Sequence, residues 1–175
     1  TALAEILFGD VSPSGKLPVT FYERSDMLPD FTDYSMKNRT YRYAENNVLY
    51  PFGYGLTYGK IVCTSVEYKD GKAVVTAENT GGKAVDDVIQ LYIKDYCENA
   101  VPNVSLCGFK RVNLAAGEKM FVEISVSERA FTAVDENGER NRFGSRFTLY
   151  AGTHQPDEIS EKLCGTKCVS TEINL

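Results

Sequence analysis

Three aspartates in a turn-rich segment are the residues whose type and spacing come nearest to a catalytic pattern. Asp26, Asp30 and Asp33 lie close together in the sequence, beside several tyrosines. Two carboxylates held about 5 to 10 Å apart can cleave a glycosidic bond by acid and base catalysis. This segment supplies no visible base, metal cage or apolar pocket, and carboxylates in such surroundings are usually solvated. We therefore interpret the three aspartates as surface residues.

The single histidine offers no alternative chemistry. A Ser-His-Asp arrangement needs a histidine between its nucleophile and its carboxylate. His154 instead stands beside Gln155 and Pro156 in a polar stretch. We expect it to be a solvated loop histidine.

Five cysteines form an odd set without the spacing of a secreted disulfide framework: Cys63, Cys97, Cys107, Cys164 and Cys168. Cys164 and Cys168 are near enough in sequence for a disulfide or half a metal site. A tetrahedral zinc site needs four suitable ligands, so we predict neither a metal nor a cofactor. Buried or half-buried free thiols in a reducing compartment fit best, which favours a cytoplasmic location without excluding export. Cys107, in a β-like run, is expected in the core or on the sheet surface.

The composition is that of a globular domain and excludes two classes of partner. The net charge is −5, with 43% hydrophobic residues, so no basic footprint for nucleic acid or anionic membrane is present. No apolar run approaches the length of a membrane span. Because the chain opens with Thr1 inside an apolar helical pattern, we expect a piece of a longer polypeptide. The missing leader therefore decides nothing about export.

From Lys60 onward, short β-prone segments alternate with turns. Asp70 and Gly71 form a strong two-residue hairpin signal between strands predicted at residues 61–68 and 73–78. In a further predicted strand, Leu91 and Ile93 alternate with Tyr92 and Lys94, which predicts one buried and one wet face. That strand is predicted at 85–96, and the others lie at 106–114, 120–126, 146–151 and 169–175. Seven or so strands with almost no helix between them predict an antiparallel sandwich.

Other segments have simpler patterns. Residues 1–8 predict a short helix stopped by Gly9, and residues 17–22 a strand. We read residues 23–48 as an extended linker, in which Arg39 and Arg42 pair with local carboxylates or stack on tyrosines. Residues 127–131 predict a helical turn, residues 135–138 a tight turn, and residues 155–165 a polar, mobile segment.

Residues 49–59 divide the chain into two parts. The sequence before them is polar and rich in turn formers, and the sequence after them is a series of short strands separated by turns. Residues 49–59 themselves read Leu-Tyr-Pro-Phe-Gly-Tyr-Gly-Leu-Thr-Tyr-Gly. Proline and three glycines favour a turn that packs its aromatic rings over a core edge, in preference to a ligand platform. Two other motifs precede this one, Phe8-Gly-Asp-Val-Ser-Pro-Ser-Gly-Lys-Leu-Pro-Val-Thr-Phe21 and Arg39-Thr-Tyr-Arg-Tyr43. In this order and spacing, the three motifs resemble the C-terminal part of a glycoside hydrolase of family 3.

The resemblance implies a mainly β fold. Downstream stretches resemble the fibronectin type III-like domain that ends many family members: Val88-Ile-Gln-Leu-Tyr-Ile93, Gly108-Phe-Lys-Arg-Val112, Leu114-Ala-Ala-Gly-Glu118 and Phe147-Thr-Leu-Tyr-Ala-Gly152. We predict a remnant of an α/β sandwich domain at 1–22, a tyrosine-rich linker at 23–59 and an immunoglobulin-like, fibronectin type III-like antiparallel β-sandwich at 60–175. A strand at 17–21 cut from its parent sheet should pair with the sandwich or another copy, giving a possible homodimer, or remain disordered.

The family comprises β-glucosidases, β-xylosidases and related exo-acting enzymes that use an aspartate nucleophile and a glutamate acid/base. The resemblance places both carboxylates upstream of this chain, so we assign no catalytic residue, and substrate-binding residues remain unknown. The expected role is structural, with the upstream catalytic domains as partners and a β-glycoside as the substrate of the whole enzyme. The alternative is a stand-alone carbohydrate-binding or protein-interaction module, for which Tyr92, Tyr96 and Tyr150 are candidate platform residues.

Overall fold

Residues 2–58 form short elements joined by irregular chain. A computed structural model describes residues 2–175, so the part of the predicted first helix that falls on Thr1 lies outside the described residues. The elements are α1 (Ala2–Phe8), β1 (Phe21–Tyr22), a 3₁₀ turn (Ser25–Met27), α2 (Thr40–Tyr43) and β2 (Val48–Tyr50). Gly9, at φ +81°, follows α1, in agreement with the expected glycine stop.

The remaining residues form a β-sandwich with one helix near its end. Its elements are β3 (Ile61–Lys69), β4 (Lys72–Asn79), β5 (Val85–Asp95), β6 (Ser105–Leu114), β7 (Lys119–Ser125), a 3₁₀ turn (Glu128–Phe131), β8 (Ala133–Val134), β9 (Arg140–Asn141), β10 (Arg146–Gly152), α3 (Glu158–Cys164) and β11 (Val169–Asn174). One sheet has the order β11-β10-β5-β6 and the other β3-β4-β7, and every pairing is antiparallel. The predicted sandwich fold is confirmed.

The alternation of side chains explains where the core lies. In β7, Val122 and Ile124 are buried between the sheets, whereas Phe121 and Glu123 face outward. The β3–β4 hairpin closes through the two predicted turn residues, Asp70 and Gly71, at φ +52° and +77°. The period-two alternation of apolar and polar residues thus determines which face of the smaller sheet is turned toward the core.

The prediction that β5 has one wet face is wrong. Ile89, Leu91 and Ile93 are buried toward the other sheet, but Gln90 and Tyr92 on the opposite face are buried as well. The aromatic and glycine residues just before the sandwich cover that face. Tyr92 is therefore a core residue and cannot belong to an exposed sugar platform.

The two flanking segments also differ from expectation. Residues 155–165 are not an irregular polar loop, because Asp157 caps α3 by accepting from Ser160 N at 2.9 Å and Gly165 ends the helix in the left-handed region. The strand predicted at residues 17–22 is limited to β1, which pairs with β2. Leu17 instead exchanges two backbone hydrogen bonds of 2.8 Å with Gly53 and Tyr54. The partner of this segment is thus the linker, and neither the sandwich nor a second copy is needed.

Candidate functional site

A hydrogen-bonded contact joins the aromatic–glycine stretch to the outer face of the larger sheet. Gln90 Nε2 donates to the carbonyl oxygens of Gly53 and Thr153, each at 2.9 Å. The Tyr92 hydroxyl donates to Gln90 Oε1 at 2.7 Å. Burial raises the pKa of the Tyr92 phenol, so it stays a neutral donor. These bonds satisfy the polar atoms that the covering segment buries.

Three glycines allow this close approach. A Cβ built at Gly53 would collide with Gln90 and Tyr92, one at Gly55 with the carbonyl of Gly15, and one at Gly59 with Val85. These glycines therefore serve packing between chain segments. The geometry favours the predicted turn packed over a core edge.

The ring of Tyr41 continues this cover. It stacks on Phe52 with centroids 4.2 Å apart and meets Tyr92 edge-on at 6.3 Å. Its hydroxyl accepts from Leu106 N at 3.0 Å. Asn103 Nδ2 donates to the carbonyl oxygens of Tyr41 and Ala44, which fixes α2 against the loop between β5 and β6.

A groove of about 650 Å³ opens between α2, the aromatic–glycine stretch and α3. Half-buried rings of Tyr41, Phe52 and Tyr150 line it, together with the more exposed Tyr96. Its rim carries Glu45 and Glu158. Two of the three predicted platform tyrosines, Tyr96 and Tyr150, thus meet in one concavity, while the third is buried beside it.

The three aspartates of the linker are not brought into that groove. Thr32 donates to Asp30 through its hydroxyl and its N–H, and these bonds lower the pKa of the Asp30 carboxyl. The Ser35 N–H and hydroxyl do the same for Asp33, and Arg24 for Asp26. All three side chains are exposed. They are ionised, turn-stabilising surface groups, as expected.

The two linker arginines have different roles. Arg39 donates to the backbone oxygens of Asp30, Asp33 and Ser35, which gathers the loop into a fixed shape. The guanidinium of Arg42 lies 5.8 Å from the ring centroid of Tyr41. The expected stacking on tyrosine is therefore seen for Arg42, whereas Arg39 binds carbonyl groups.

The expectation that His154 is solvated is wrong. Its side chain is only 1% exposed, and Nδ1 lies 2.8 Å from the carbonyl oxygen of Gln155. Nε2 lies 3.1 Å from the carbonyl and hydroxyl oxygens of Thr166. The imidazole thus connects the end of β10 to the chain after α3.

The five cysteines are free thiols in the structure, and no bond joins Cys164 to Cys168. Burial raises the pKa of Cys63 and of Cys107 to about 12, and it raises the pKa of Cys168 further. Burial also raises the pKa of the less enclosed Cys97 and Cys164. Within residues 2–175, no three histidine, cysteine or acidic side chains are grouped as metal ligands.

These environments predict slow and graded alkylation of the native thiols. A pKa near 12 leaves on the order of one thiolate in ten thousand at pH 8, so Cys63 and Cys107 should resist iodoacetamide. Cys97 should react first. Timed quenching and peptide mass spectrometry will measure the order, with urea-unfolded protein as the control in which all five react. Native labelling of Cys63 as fast as Cys97 would contradict the prediction.

Exposed apolar side chains are concentrated at one end of the sequence. Of the 23 large apolar residues exposed within residues 2–175, 15 lie in residues 2–58. Phe31 and Tyr34 are 94% and 90% exposed on the loop that Arg39 shapes. Between residues 2 and 50, only Ser14 is buried. Such a surface is typical of one that another part of a protein covers.

That apolar surface, residues 2–58, is fixed to the sandwich by specific contacts. Lys16 Nζ forms a 2.7 Å ion pair with Asp87, whose side chain is 2% exposed. Within the surface itself, the Tyr58 hydroxyl donates to the carbonyl oxygen of Ile6 at 2.6 Å and so joins α1 to the end of the aromatic–glycine stretch. Sequence reasoning missed the ion pair, since its partners are far apart in sequence. The available signal was the pair of aspartates, Asp86 and Asp87, near the start of the β-prone run of β5.

Two family models match the chain. One describes the glycosyl hydrolase family 3 C-terminal domain and covers residues 1–58, and the other describes a fibronectin type III-like domain and covers residues 87–155. A xylan 1,4-β-xylosidase from Xylanibacter ruminicola is 38% identical over 93% of this chain and 20% of its own length. A β-glucosidase from Ruminococcus albus is 34% identical over 94% of this chain and 20% of its own length. The chain spans about a fifth of such relatives.

Solved structures agree over nearly the whole chain. A β-glucosidase from Streptomyces venezuelae, solved with D-glucose, superposes with a TM-score of 0.79 at 26% identity, covering 99% of this chain and 24% of its own. A β-glucosidase from Erythrobacter marinus gives 0.77 at 32% identity, covering 99% and 23%. The sandwich is thus a fibronectin type III-like domain of the kind that accompanies glycosidases. The chain belongs to glycoside hydrolase family 3 and corresponds to the C-terminal part of its members.

Proposed function

We propose that this chain is the C-terminal accessory region of a retaining, exo-acting β-glycosidase that hydrolyses terminal non-reducing β-glycosyl residues, with β-glucosides as the first candidate. Its own role is to buttress the upstream catalytic domains of the same polypeptide. The observation that carries this role is the apolar surface of residues 2–58, attached to the sandwich through the Lys16–Asp87 pair and the aromatic–glycine cover. Relatives named as β-xylosidases keep β-xylosides as the second substrate class.

The buttressing role follows from how the surface is held. Exposed rings and aliphatic groups gain free energy when another domain covers them. The Arg39-shaped loop presents Phe31 and Tyr34 without further ordering, which limits the entropic cost of docking. The sandwich therefore acts as a rigid base that holds this surface in place.

The corresponding prediction is that the 175-residue chain alone is inert. It should not release nitrophenol from p-nitrophenyl β-D-glucoside or β-D-xyloside, because the family's two carboxylates have no match in it. The longer native gene product should hydrolyse at least one of them. Turnover that co-purifies with the isolated chain, and persists in an independently tagged preparation, would overturn the proposal. Comparison of the two sugars on the long form decides between glucoside and xyloside.

The proposal also includes a cytoplasmic location and a homodimer that forms only at high concentration. The backbone groups of Leu17 and Phe21 that would seek a second copy are already bonded within the chain. We expect sizing to give a monomer at low concentration, with association at high concentration only through the apolar surface.

Five free thiols support a reducing compartment, which fractionation of source cells with an antibody will test. No helix within residues 2–175 has the length and apolar character needed to cross a membrane.

A further inference from the structure

We propose that the groove between α2, the aromatic–glycine stretch and α3 is a non-catalytic binding site for a neutral saccharide. The groove takes seven of its lining residues from segment 2–58 but is separate from the exposed apolar side chains of that segment. The exposed apolar side chains that dominate that surface, such as Leu3, Phe8 and Phe31, do not line the groove. Its walls include the half-buried Tyr41, Phe52 and Tyr150, and the more exposed Tyr96 and Ile159.

Unpartnered polar atoms identify the groove as a place for a hydrogen-bonding ligand. Gln155 is 8% exposed and lines the groove, yet its Oε1 has no hydrogen-bond partner within residues 2–175. Thr20 Oγ1, which also belongs to the lining of the groove, is likewise buried and unpartnered among the described residues. A buried amide oxygen without a donor is costly. Binding requires this amide to rotate toward the ligand, and the terminal torsion of a glutamine is broad enough for such a rotation.

The charged groups of the groove favour a ligand that donates hydrogen bonds and carries no negative charge. Glu45 and Glu158 form no ion pair within the part of the chain that the structure describes. Asp157 is committed to capping α3, and Lys94 donates to the carbonyl oxygens of Val101 and Pro102. The free groups are therefore acceptors. Hydroxyl groups of a sugar match them, whereas an anion is repelled.

The rings and the size of the groove complete the match. Tyr41, Phe52, Tyr96 and Tyr150 supply aromatic surface on which the C–H face of a pyranose can pack. A volume of about 650 Å³ lies within the usual range of small-ligand sites and accommodates one or two sugar rings. The choice of β-linked glucosyl or xylosyl units rests on the proposed function, while the groove itself does not.

The test is a titration of the ¹⁵N-labelled 175-residue chain with cellobiose and xylobiose, followed by NMR. We expect saturable shifts centred on Tyr41, Tyr96 and Tyr150, with a dissociation constant in the millimolar range. Gln155→Met and Glu45→Ala should each weaken binding about fivefold, since each removes one hydrogen-bond acceptor. Tyr34→Ala, an exposed tyrosine outside the groove, is the matched control and should bind as the parent does. Thermal unfolding of each variant verifies that it is folded.

Several outcomes would overturn the inference. They are the absence of saturable shifts with tens of millimolar sugar, shifts centred outside the groove, and binding unaffected by either groove variant. Saturable binding of tri-arginine in place of both sugars would instead mark an acidic peptide-binding groove. In the long native enzyme, Tyr96 should stay as open to hydroxyl-radical footprinting as in the short chain. Its protection there would mean that polypeptide fills the groove.

The outcomes also separate this inference from the proposed function. Sugar binding by the chain combined with an inactive long form would uphold the groove site and refute the glycosidase. Hydrolysis by the long form, with no sugar binding by the groove of the short chain, would uphold the glycosidase and refute the groove site.

Discussion

Gly53→Ala is expected to lower the free energy of unfolding by about 2 to 4 kcal/mol. Gly53 has a φ of +79°, where a Cβ is strained, and the new methyl would press on Gln90 and Tyr92. Neither neighbour can yield cheaply, because both are buried and joined by hydrogen bonds to each other and to Gly53 itself. The segment must lift from β5 or the sheet must shift. Urea unfolding followed by circular dichroism measures the loss, with an unchanged m value.

Gly71→Ala separates strain from collision. Gly71 has nearly the same φ, +77°, but no atom outside its chain neighbours lies within 4 Å of a Cβ built there. Its loss should be limited to about 1 kcal/mol of backbone strain. Equal losses for the two variants would mean that the contact on Gln90 and Tyr92 adds nothing. A second readout is hydrogen exchange of β5, which should accelerate only in Gly53→Ala.

Local patterns predicted the strands because a strand carries its own period. Val122 and Ile124 alternate with Phe121 and Glu123, and the hairpin at Asp70 and Gly71 follows from the two residues that favour positive φ. The alternation and the hairpin signal depend only on neighbouring residues and not on contacts with distant parts of the sequence. They were sufficient for the sandwich.

The cover on β5 could not be predicted in this way. Alternation says which side chains share a face, but it does not say whether a segment some 40 residues upstream lies on that face. The alternation therefore predicts that Tyr92 faces solvent, whereas its side chain is fully buried. One signal was available, since Val88 to Ile93 is almost continuously apolar, a pattern typical of strands buried on both faces.

The end of the chain shows a different failure. Asp157, the glutamates that follow it and Gly165 are ordinary start and stop signals of a helix, with Ile159 and Leu163 spaced one turn apart. The polar composition of the stretch concealed them. The error on His154 followed from this, because the imidazole is buried between the chain before α3 and Thr166 after it.

The sequence did not predict the groove, although two of the three candidate platform tyrosines, Tyr96 and Tyr150, line it. Tyr150 lies on β10 and Tyr96 directly follows the neighbouring strand β5, so their proximity follows from the sheet. Gln155, Thr20 and Glu45 come from three separate segments, and only the folded chain brings them together. A site assembled from loops in this way leaves no spacing to recognise in the sequence.

Lys16→Met is expected to cost about 3 to 5 kcal/mol, which is the usual range when one partner of a buried ion pair is removed. The variant leaves the Asp87 carboxylate, 2% exposed, with the N–H of Val88 as its remaining donor. The cost arises from this uncompensated buried charge and not from the lost attraction alone. Thermal and urea unfolding measure it. Limited proteolysis should also begin within residues 9–22, since the pair attaches that segment to β5.

Two comparisons make this prediction specific. Lys16→Met combined with Asp87→Leu removes both charges, so most of the lost stability should return. Arg111→Met breaks a pair of similar length, 2.7 Å, whose side chains are 63% and 36% exposed, and it should cost less than about 1 kcal/mol. If the single Lys16 variant were no worse than Arg111→Met, the pair would be a solvated contact. The apolar surface would then be held to the sandwich by the contact of Gly53 with Gln90 and by the hydrogen bonds of Tyr41 and Asn103.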